Sequence, residues 1–158
     1  MPELRAALKG AGFKDLQTYL QSGNVVLESR AKPETVARKV EKLIAERFDM
    51  EIDVVVRSRD ELAKIVKRNP LGKVAKDPKR HQVTFLSHPL AHDVVERLQS
   101  LPVRGEHLVV DGREVYAWHP AGVARSRLWT ELAGKRLGVT ATSRNWTTVE
   151  ALLALAQE

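Results

Sequence analysis

The spacing of apolar residues along the first half of the chain alternates between helical and strand periods. It predicts a helix over 4–11, a hairpin of strands over 16–20 and 24–28, and a long helix that begins near Pro33. A compact β-branched run, Ile52–Val56, predicts a further strand. The order of elements in this half is therefore αββαβ.

The residues that follow this run contain a motif that predicts the start of a helix. Ser58-Arg59-Asp60-Glu61 has the spacing of a capping box, in which the Ser and Glu side chains each satisfy a backbone N–H of the other residue. The helix that it opens is expected to end at Asn69-Pro70, since the residue before a proline disfavours helical backbone.

The second half repeats the same order with an added first strand. Between two of its strands stands Asp111-Gly112, the dipeptide most typical of a two-residue hairpin turn. The predicted strands and helices lie over 81–86, 89–98, 107–110, 113–118, 129–137, 139–142 and 149–156.

The two halves agree if the first has lost its initial strand. We therefore predict an α+β fold of two ferredoxin-like (split βαβ) subdomains, the first lacking its N-terminal strand, with an extra C-terminal helix. The predicted domains are a first subdomain with a linking helix over 1–70, a basic connector over 71–80, and a second subdomain with the C-terminal helix over 81–158.

The amino-acid composition indicates which class of protein this is and what net charge it carries. The 158 residues include no cysteine, which excludes disulfides and thiolate metal sites. No apolar run is long enough to span a bilayer and no signal segment is evident, so we expect a cytoplasmic protein and no membrane partner. A net charge of +6 permits phosphate-bearing partners, although solvated helix faces also account for it.

Two predicted helix starts carry the candidate anion-binding residues. Ser126 lies between Arg125 and Arg127, and Arg144 precedes Asn145 and Trp146. Helix N-termini attract anions, and arginine pairs with them in a bidentate manner. We therefore hypothesise that Arg125, Ser126, Arg144 and Asn145 converge on one anion.

Simpler structural roles compete with this hypothesis. The second turn is either a capping box of Thr147 and Glu150 with Trp146 as a hydrophobic staple, or a cap made by Asn145. Neither account needs Arg144.

Other polar groups are weaker candidates for chemistry. Ser22 and Asn24 flank a predicted hairpin tip and are candidates for ligand contact, although turn formation also explains them. His88 and His92 lack a carboxylate or thiolate at a diagnostic spacing, so no metal site is expected. No catalytic triad is supported, and we expect no cofactor.

The hairpin around Asp111-Gly112 places Tyr116 and Trp118 on one face together with His107. This face is either an open aromatic platform, as in single-stranded RNA readers, or a surface buried against the rest of the protein.

Five blocks of residues resemble the signature of the domain-of-unknown-function family 1697. They occur in the family's order along nearly the whole chain: 17–26, 54–58, 77–80, 112–116 and 144–148. The resemblance implies two α+β subdomains similar to ferredoxin-like folds, and no established activity. Members of that family begin with a further strand and a Gly-rich turn, which this sequence lacks. Either the start of the given sequence is misassigned or truncated, or the segment is absent; if it is absent, the exposed sheet edge is expected to permit a homodimer.

The function we favour from the sequence is a binding module for a phosphate-bearing ligand, with nucleic acid as one candidate. Its charge would come from Arg125, Arg127 and Arg144, and its stacking surface from Trp118 or Trp146. The alternative is an enzyme of unknown reaction with a site between the two subdomains.

Overall fold

The computed structural model describes residues 2–19, 23–102, 104–124, 126–133 and 135–157. The chain divides into two compact units, which we call unit 1 (residues 1–62 and 151–158) and unit 2 (residues 63–150). The domain boundaries predicted from the sequence stay a prediction.

The described part of unit 1 contains two complete helices and a two-stranded antiparallel sheet. Helix α1 spans Pro2–Gly10, strands β1 and β2 span Lys14–Tyr19 and Asn24–Glu28, and helix α2 spans Pro33–Phe48. The predicted hairpin and both predicted helices of this half are thereby confirmed. The apolar faces of these elements form one core, whose buried members are Leu8, Phe13, Leu16, Val36, Val40 and Ile44.

The predicted strand over Ile52–Val56 is wrong, because residues 51–58 form no strand. Val54 and Val56 do pack against the unit 1 core, and the Val54 N–H donates to the Glu41 carboxylate of α2 at 2.9 Å. In the pattern βαββαβ, the fourth strand pairs only with the first strand. Among the described residues no strand precedes α1, and residues 51–58 pair with no strand.

The predicted capping box is present at the start of helix α3, which spans Arg59–Arg68. The Glu61 N–H donates to Ser58 Oγ at 3.1 Å, and the Ser58 N–H donates to Glu61 Oε1 at 2.8 Å. The side chains of Ser58 and Glu61 thus each accept a hydrogen bond from the other residue's backbone N–H, and this reciprocal pair defines the start of α3.

Unit 2 is built around a four-stranded antiparallel sheet. Along the chain its elements are β3 (His81–Leu86), α4 (His92–Gln99), β4 (His107–Asp111), β5 (Glu114–Trp118), α5 (Arg127–Ala133), a short 3₁₀ helix (Lys135–Leu137) and β6 (Ala141–Asn145). Helix α6 (Trp146–Ala156) follows, with residues 146–150 in unit 2 and residues 151–156 in unit 1.

The strand order β4-β5-β3-β6 is that of a ferredoxin-like βαββαβ unit. The predicted α+β fold class and the extra C-terminal helix are confirmed. The last strand begins two residues later than the sequence predicted, at Ala141 rather than Val139.

The two faces of this sheet carry different residues, because neighbouring residues along β4 and β5 project to opposite sides. One face packs under α4 and α5 in a core whose buried members are Leu86, Val94, Leu98, Val115, Ala117, Leu128, Leu132 and Leu137. On the other face Tyr116 is fully buried, and its hydroxyl donates to the Ile65 carbonyl of α3 at 3.0 Å. Burial raises the pKa of Tyr116 to about 12. At Tyr116, therefore, this face is not an open platform.

Removing the Tyr116 hydroxyl tests how this face is held. Tyr116→Phe leaves the Ile65 carbonyl without its donor, so we expect the free energy of unfolding to fall by about 1 kcal/mol. Urea unfolding followed by circular dichroism measures this change. A variant as stable as the wild type would show that water satisfies the carbonyl instead.

Among the described residues no helix is both long and apolar enough to cross a membrane. The β1–β2 sheet has two strands in the described part of the chain, and a homodimer formed through its edge stays a prediction.

Candidate functional site

One end of the unit 2 sheet gathers most of the residues that the sequence singled out. Strands β3 and β4 begin there and β5 ends there, since His81 and His107 both lie opposite Trp118 in the ladder. Strand β6 also ends there, with Asn145 opposite Gln82. We call this region the sheet end and define it as the described residues within 77–81, 104–107, 118–127 and 144–146.

The sheet end contains a buried carboxylate at the start of α5. Glu106 Oε2 accepts a hydrogen bond from Ser126 Oγ at 2.6 Å and lies 2.7 Å from His119 Nδ1. The His119 side chain is 0% exposed and that of Glu106 is 5% exposed. Ser126 Oγ also accepts from the Trp129 N–H at 3.1 Å, so Ser126 caps α5. The cluster therefore joins the start of α5 to the ends of β4 and β5.

Ser, His and Glu are the residue types of a hydrolase triad, but their geometry here differs. In such a triad the serine hydroxyl gives its proton to Nε2 of the histidine, while the carboxylate holds Nδ1. Here Ser126 Oγ lies 3.2 Å from His119 Nδ1, the same nitrogen that faces Glu106. His119 Nε2 is buried and has no hydrogen-bond partner among the described residues. This arrangement is that of a cluster that clamps α5, meaning that it holds the start of α5 against the adjoining strand ends, and not that of an activated nucleophile.

The start of α6 is held in a different way. Asn145 Oδ1 accepts from the Thr148 N–H at 2.9 Å, so Asn145 is the cap, one of the two alternatives that the sequence left open. The Trp146 N–H donates to the Pro78 carbonyl at 3.0 Å. The Trp146 ring, 8% exposed, stacks on His81 with 4.4 Å between ring centroids and 8° between planes. Trp146 thus anchors α6 to β3 and to the preceding loop.

His81 is the second buried histidine of the sheet end. It is 1% exposed, and its Nε2 has no hydrogen-bond partner among the described residues. Burial lowers the pKa of His81 to about 4, because the imidazolium would lose its hydration. His81 is therefore neutral at physiological pH and contributes no charge to the surface.

Arg144, which the helix caps left unexplained, lies in β6 opposite Val83. Its guanidinium is half-buried and donates to the Ser143 carbonyl at 2.7 Å. Burial lowers the pKa of Arg144. Arg144 is therefore engaged with its own strand, and its role in ligand binding stays a prediction.

The remaining predicted site residues are placed as follows. Ser22 and Arg125 lie outside the described residues. Asn24 begins β2 and is 7% exposed. Ser126 and Asn145 share the sheet end, yet each serves the start of its own helix. Convergence of Arg125, Ser126, Arg144 and Asn145 on one anion stays a hypothesis.

The structure adds cations that the site prediction omitted. Lys79 and Arg104, like the predicted Arg127, are exposed, and none of these three side chains has an ion pair or hydrogen bond within the described parts of the chain. Arg80 differs, since it pairs with Asp77 at 3.7 Å and donates to the Pro120 carbonyl. Arg104 lies three residues before the start of β4, so only the strand order brings it to the same end of the sheet as Lys79.

A depression of about 430 Å³ opens at the sheet end. It is lined by Arg104, by the loop residues Pro120–Gly122 with Ala124, and by Glu106 and Ser126. A second depression, of about 470 Å³, lies in unit 1 and is lined by Glu41, Glu51 and Asp53 among others. Its carboxylates disfavour an anion, so the sheet end is the better candidate for a negatively charged ligand. Within the described residues, no group of three or more His, Asp or Glu side chains could hold a metal ion.

Comparison with solved structures supports the fold. The chain is similar to "conserved bacterial protein SP0830 from Streptococcus pneumoniae", with a TM-score of 0.78 and 19% sequence identity. The match covers 99% of this chain and 88% of that one. A search of curated proteins finds no match.

A family model, described as "Protein of unknown function (DUF1697)", matches residues 1–116. Four of the five blocks that carried the resemblance lie within these residues, and the block 144–148 lies beyond them. Because the matched segment is more than half of the 158 residues, the chain belongs to the DUF1697 family of proteins of unknown function.

Proposed function

We propose that this protein binds a phosphate-bearing ligand at the sheet end of unit 2. The observation that carries the proposal is a set of exposed cations, Lys79, Arg104 and Arg127, that have no ion-pair partner among the described residues. Cations that pair with acidic neighbours are already neutralised, whereas these three are available to an external anion. Phosphate groups are bound in this way by lysine and arginine.

The local charge balance supports this ligand class. Of the two carboxylates in the sheet end, Asp77 is paired with Arg80, and Glu106 is buried under hydrogen bonds from within the protein. Neither therefore opposes an approaching anion strongly. The depression beside Arg104 gives such a ligand a concave surface.

The predicted contribution of the cations is tested by a double substitution. Arg104→Ala with Arg127→Ala removes two exposed cations whose side chains form no ion pair or hydrogen bond with other described residues, so the fold should persist. For a single-stranded oligonucleotide, the slope of log affinity against log salt should flatten by about 1.4, or about 0.7 for each phosphate that is no longer neutralised. Fluorescence anisotropy over a salt series measures this slope.

The matched control is Arg5→Ala with Arg47→Ala. These exposed residues lie on α1 and α2 of unit 1, and their removal changes the net charge by the same amount. The control should retain the wild-type slope. Equal flattening in both double variants would mean that net charge alone drives binding, and would contradict a site at the sheet end.

A further inference from the structure

Trp118 places an aromatic ring beside the exposed cations. It is the last residue of β5 and is half-buried, and exposed His107 lies directly opposite it on the neighbouring strand. Residues directly opposite in an antiparallel pair project from the same face of the sheet and lie side by side. On its other side Trp118 is opposite His81, whose ring is covered by Trp146. A row of rings thus crosses the sheet end, buried at one side and open at His107.

The same face is acidic only at its far end. Asp111 and Glu114 share the face with Trp118 and His107 by the alternation of the strands, and they lie opposite each other next to the hairpin turn. Glu114 and Trp118 are four positions apart along β5, a distance of about 13 Å. Lys79 precedes His81 by two residues and Arg104 precedes His107 by three, so both exposed cations lie at the end of the ladder that holds Trp118, together with the Arg80–Asp77 ion pair. A negatively charged backbone therefore meets two cations that are unpaired among the described residues and the paired carboxylate of Asp77 at this end, while Asp111 and Glu114 lie at the other end of the hairpin.

We infer that the phosphate-bearing ligand is a single-stranded nucleic acid, one base of which stacks on Trp118 while neighbouring phosphates contact Lys79 and Arg104. This inference rests on the proposed function and names the ligand class for the same site. Every base offers a flat π surface to an indole ring, so such a contact is tolerant of sequence. A duplex hides those surfaces within its own stack, and for that reason an unpaired strand fits the site.

The phosphate contacts and the stacking contact can be measured separately. Inorganic polyphosphate carries the charge without the bases, and a fluorescein-labelled oligo(U) carries both. Trp118→Ala should weaken oligo(U) binding about tenfold, within the range known for stacking of one base. The ability of polyphosphate to compete with a labelled polyphosphate probe should be unchanged, because every cation is retained. Trp118→Phe keeps a ring and should recover most of the affinity for oligo(U).

A matched control on the same face is Tyr116→Phe, since Tyr116 is buried and cannot meet a base. It should bind oligo(U) as the wild type does. If Trp118→Ala leaves oligo(U) binding intact while polyphosphate also binds, stacking is refuted and the proposed function stands. If Trp118→Ala weakens both ligands equally, the residue supports the surface and the stacking inference fails. If neither ligand binds the wild type, the proposed function itself is wrong.

Discussion

Replacing Glu106 with alanine is expected to lower the free energy of unfolding by about 3 kcal/mol. The substitution removes the carboxylate that the Ser126 hydroxyl and His119 Nδ1 share, and leaves these buried groups only their longer 3.2 Å contact with each other. Each unsatisfied buried polar group costs about 1–3 kcal/mol. Glu106 also bridges β4 and the start of α5, so its removal should loosen the loop that lines the depression. Urea unfolding monitored by circular dichroism measures the change.

The control for this substitution is Glu96→Ala on α4. Glu96 pairs with His92 at the surface, where both side chains are mostly exposed, and such pairs contribute about 0–1 kcal/mol. Glu106→Gln should fall between the wild type and Glu106→Ala, since its amide oxygen can still accept hydrogen bonds. A decrease in stability for Glu106→Ala no larger than that for Glu96→Ala would contradict the view that this cluster clamps α5.

Acidification is expected to destabilise the protein through His81. The folded state holds the pKa of His81 near 4, whereas an unfolded histidine has a pKa near 6.5. As the pH falls below about 6.5 the unfolded state binds a proton that the folded state rejects, so stability decreases. The decrease continues to about pH 4, where the folded state also becomes protonated, and its total size is about 3 kcal/mol.

The variant His81→Phe isolates this contribution. Phenylalanine keeps a ring against Trp146 and removes the buried Nε2 that has no partner among the described residues, so the variant should be at least as stable at pH 7. The difference in stability between the variant and the wild type should widen as the pH is lowered from 7 to 5. Parallel pH profiles for His81→Phe and the wild type would contradict the assignment.

Features set by neighbouring residues could be predicted from the sequence. The capping box of Ser58 and Glu61 uses groups three residues apart, and both of its hydrogen bonds are present. The turn at Asp111-Gly112 needs a residue that accepts positive φ, and Gly112 has a φ of 58°. These local signals and the order of elements predicted a ferredoxin-like unit, and unit 2 has the strand order of such a unit.

Features set by distant residues could not be predicted. Ile52–Val56 has the composition of a strand, but a strand also needs a neighbour, and the described part of unit 1 supplies none. The helix expected to start at Pro89 begins instead at His92, after the extended residue Ala91. A proline that favours a first turn does not compel one, and the chain continues extended until Ala91.

The candidate site shows the same division. Ser126 was identified as a helix cap from its position, and that role is present. Its partner Glu106 is twenty residues away in sequence, so only the fold reveals the buried carboxylate. Arg104 likewise reaches the same end of the sheet as Lys79 through the strand order, and no local motif marks it.

The most direct test of the proposed function is the salt dependence of oligo(U) binding to the wild-type protein. Fluorescence anisotropy is recorded between about 50 and 200 mM salt, a range over which phosphate contacts change affinity measurably. Three phosphate contacts, at Lys79, Arg104 and Arg127, predict a slope of log affinity against log salt of about −2. No binding at the lowest salt, or a slope near zero, would contradict the proposal that the sheet end binds phosphate groups.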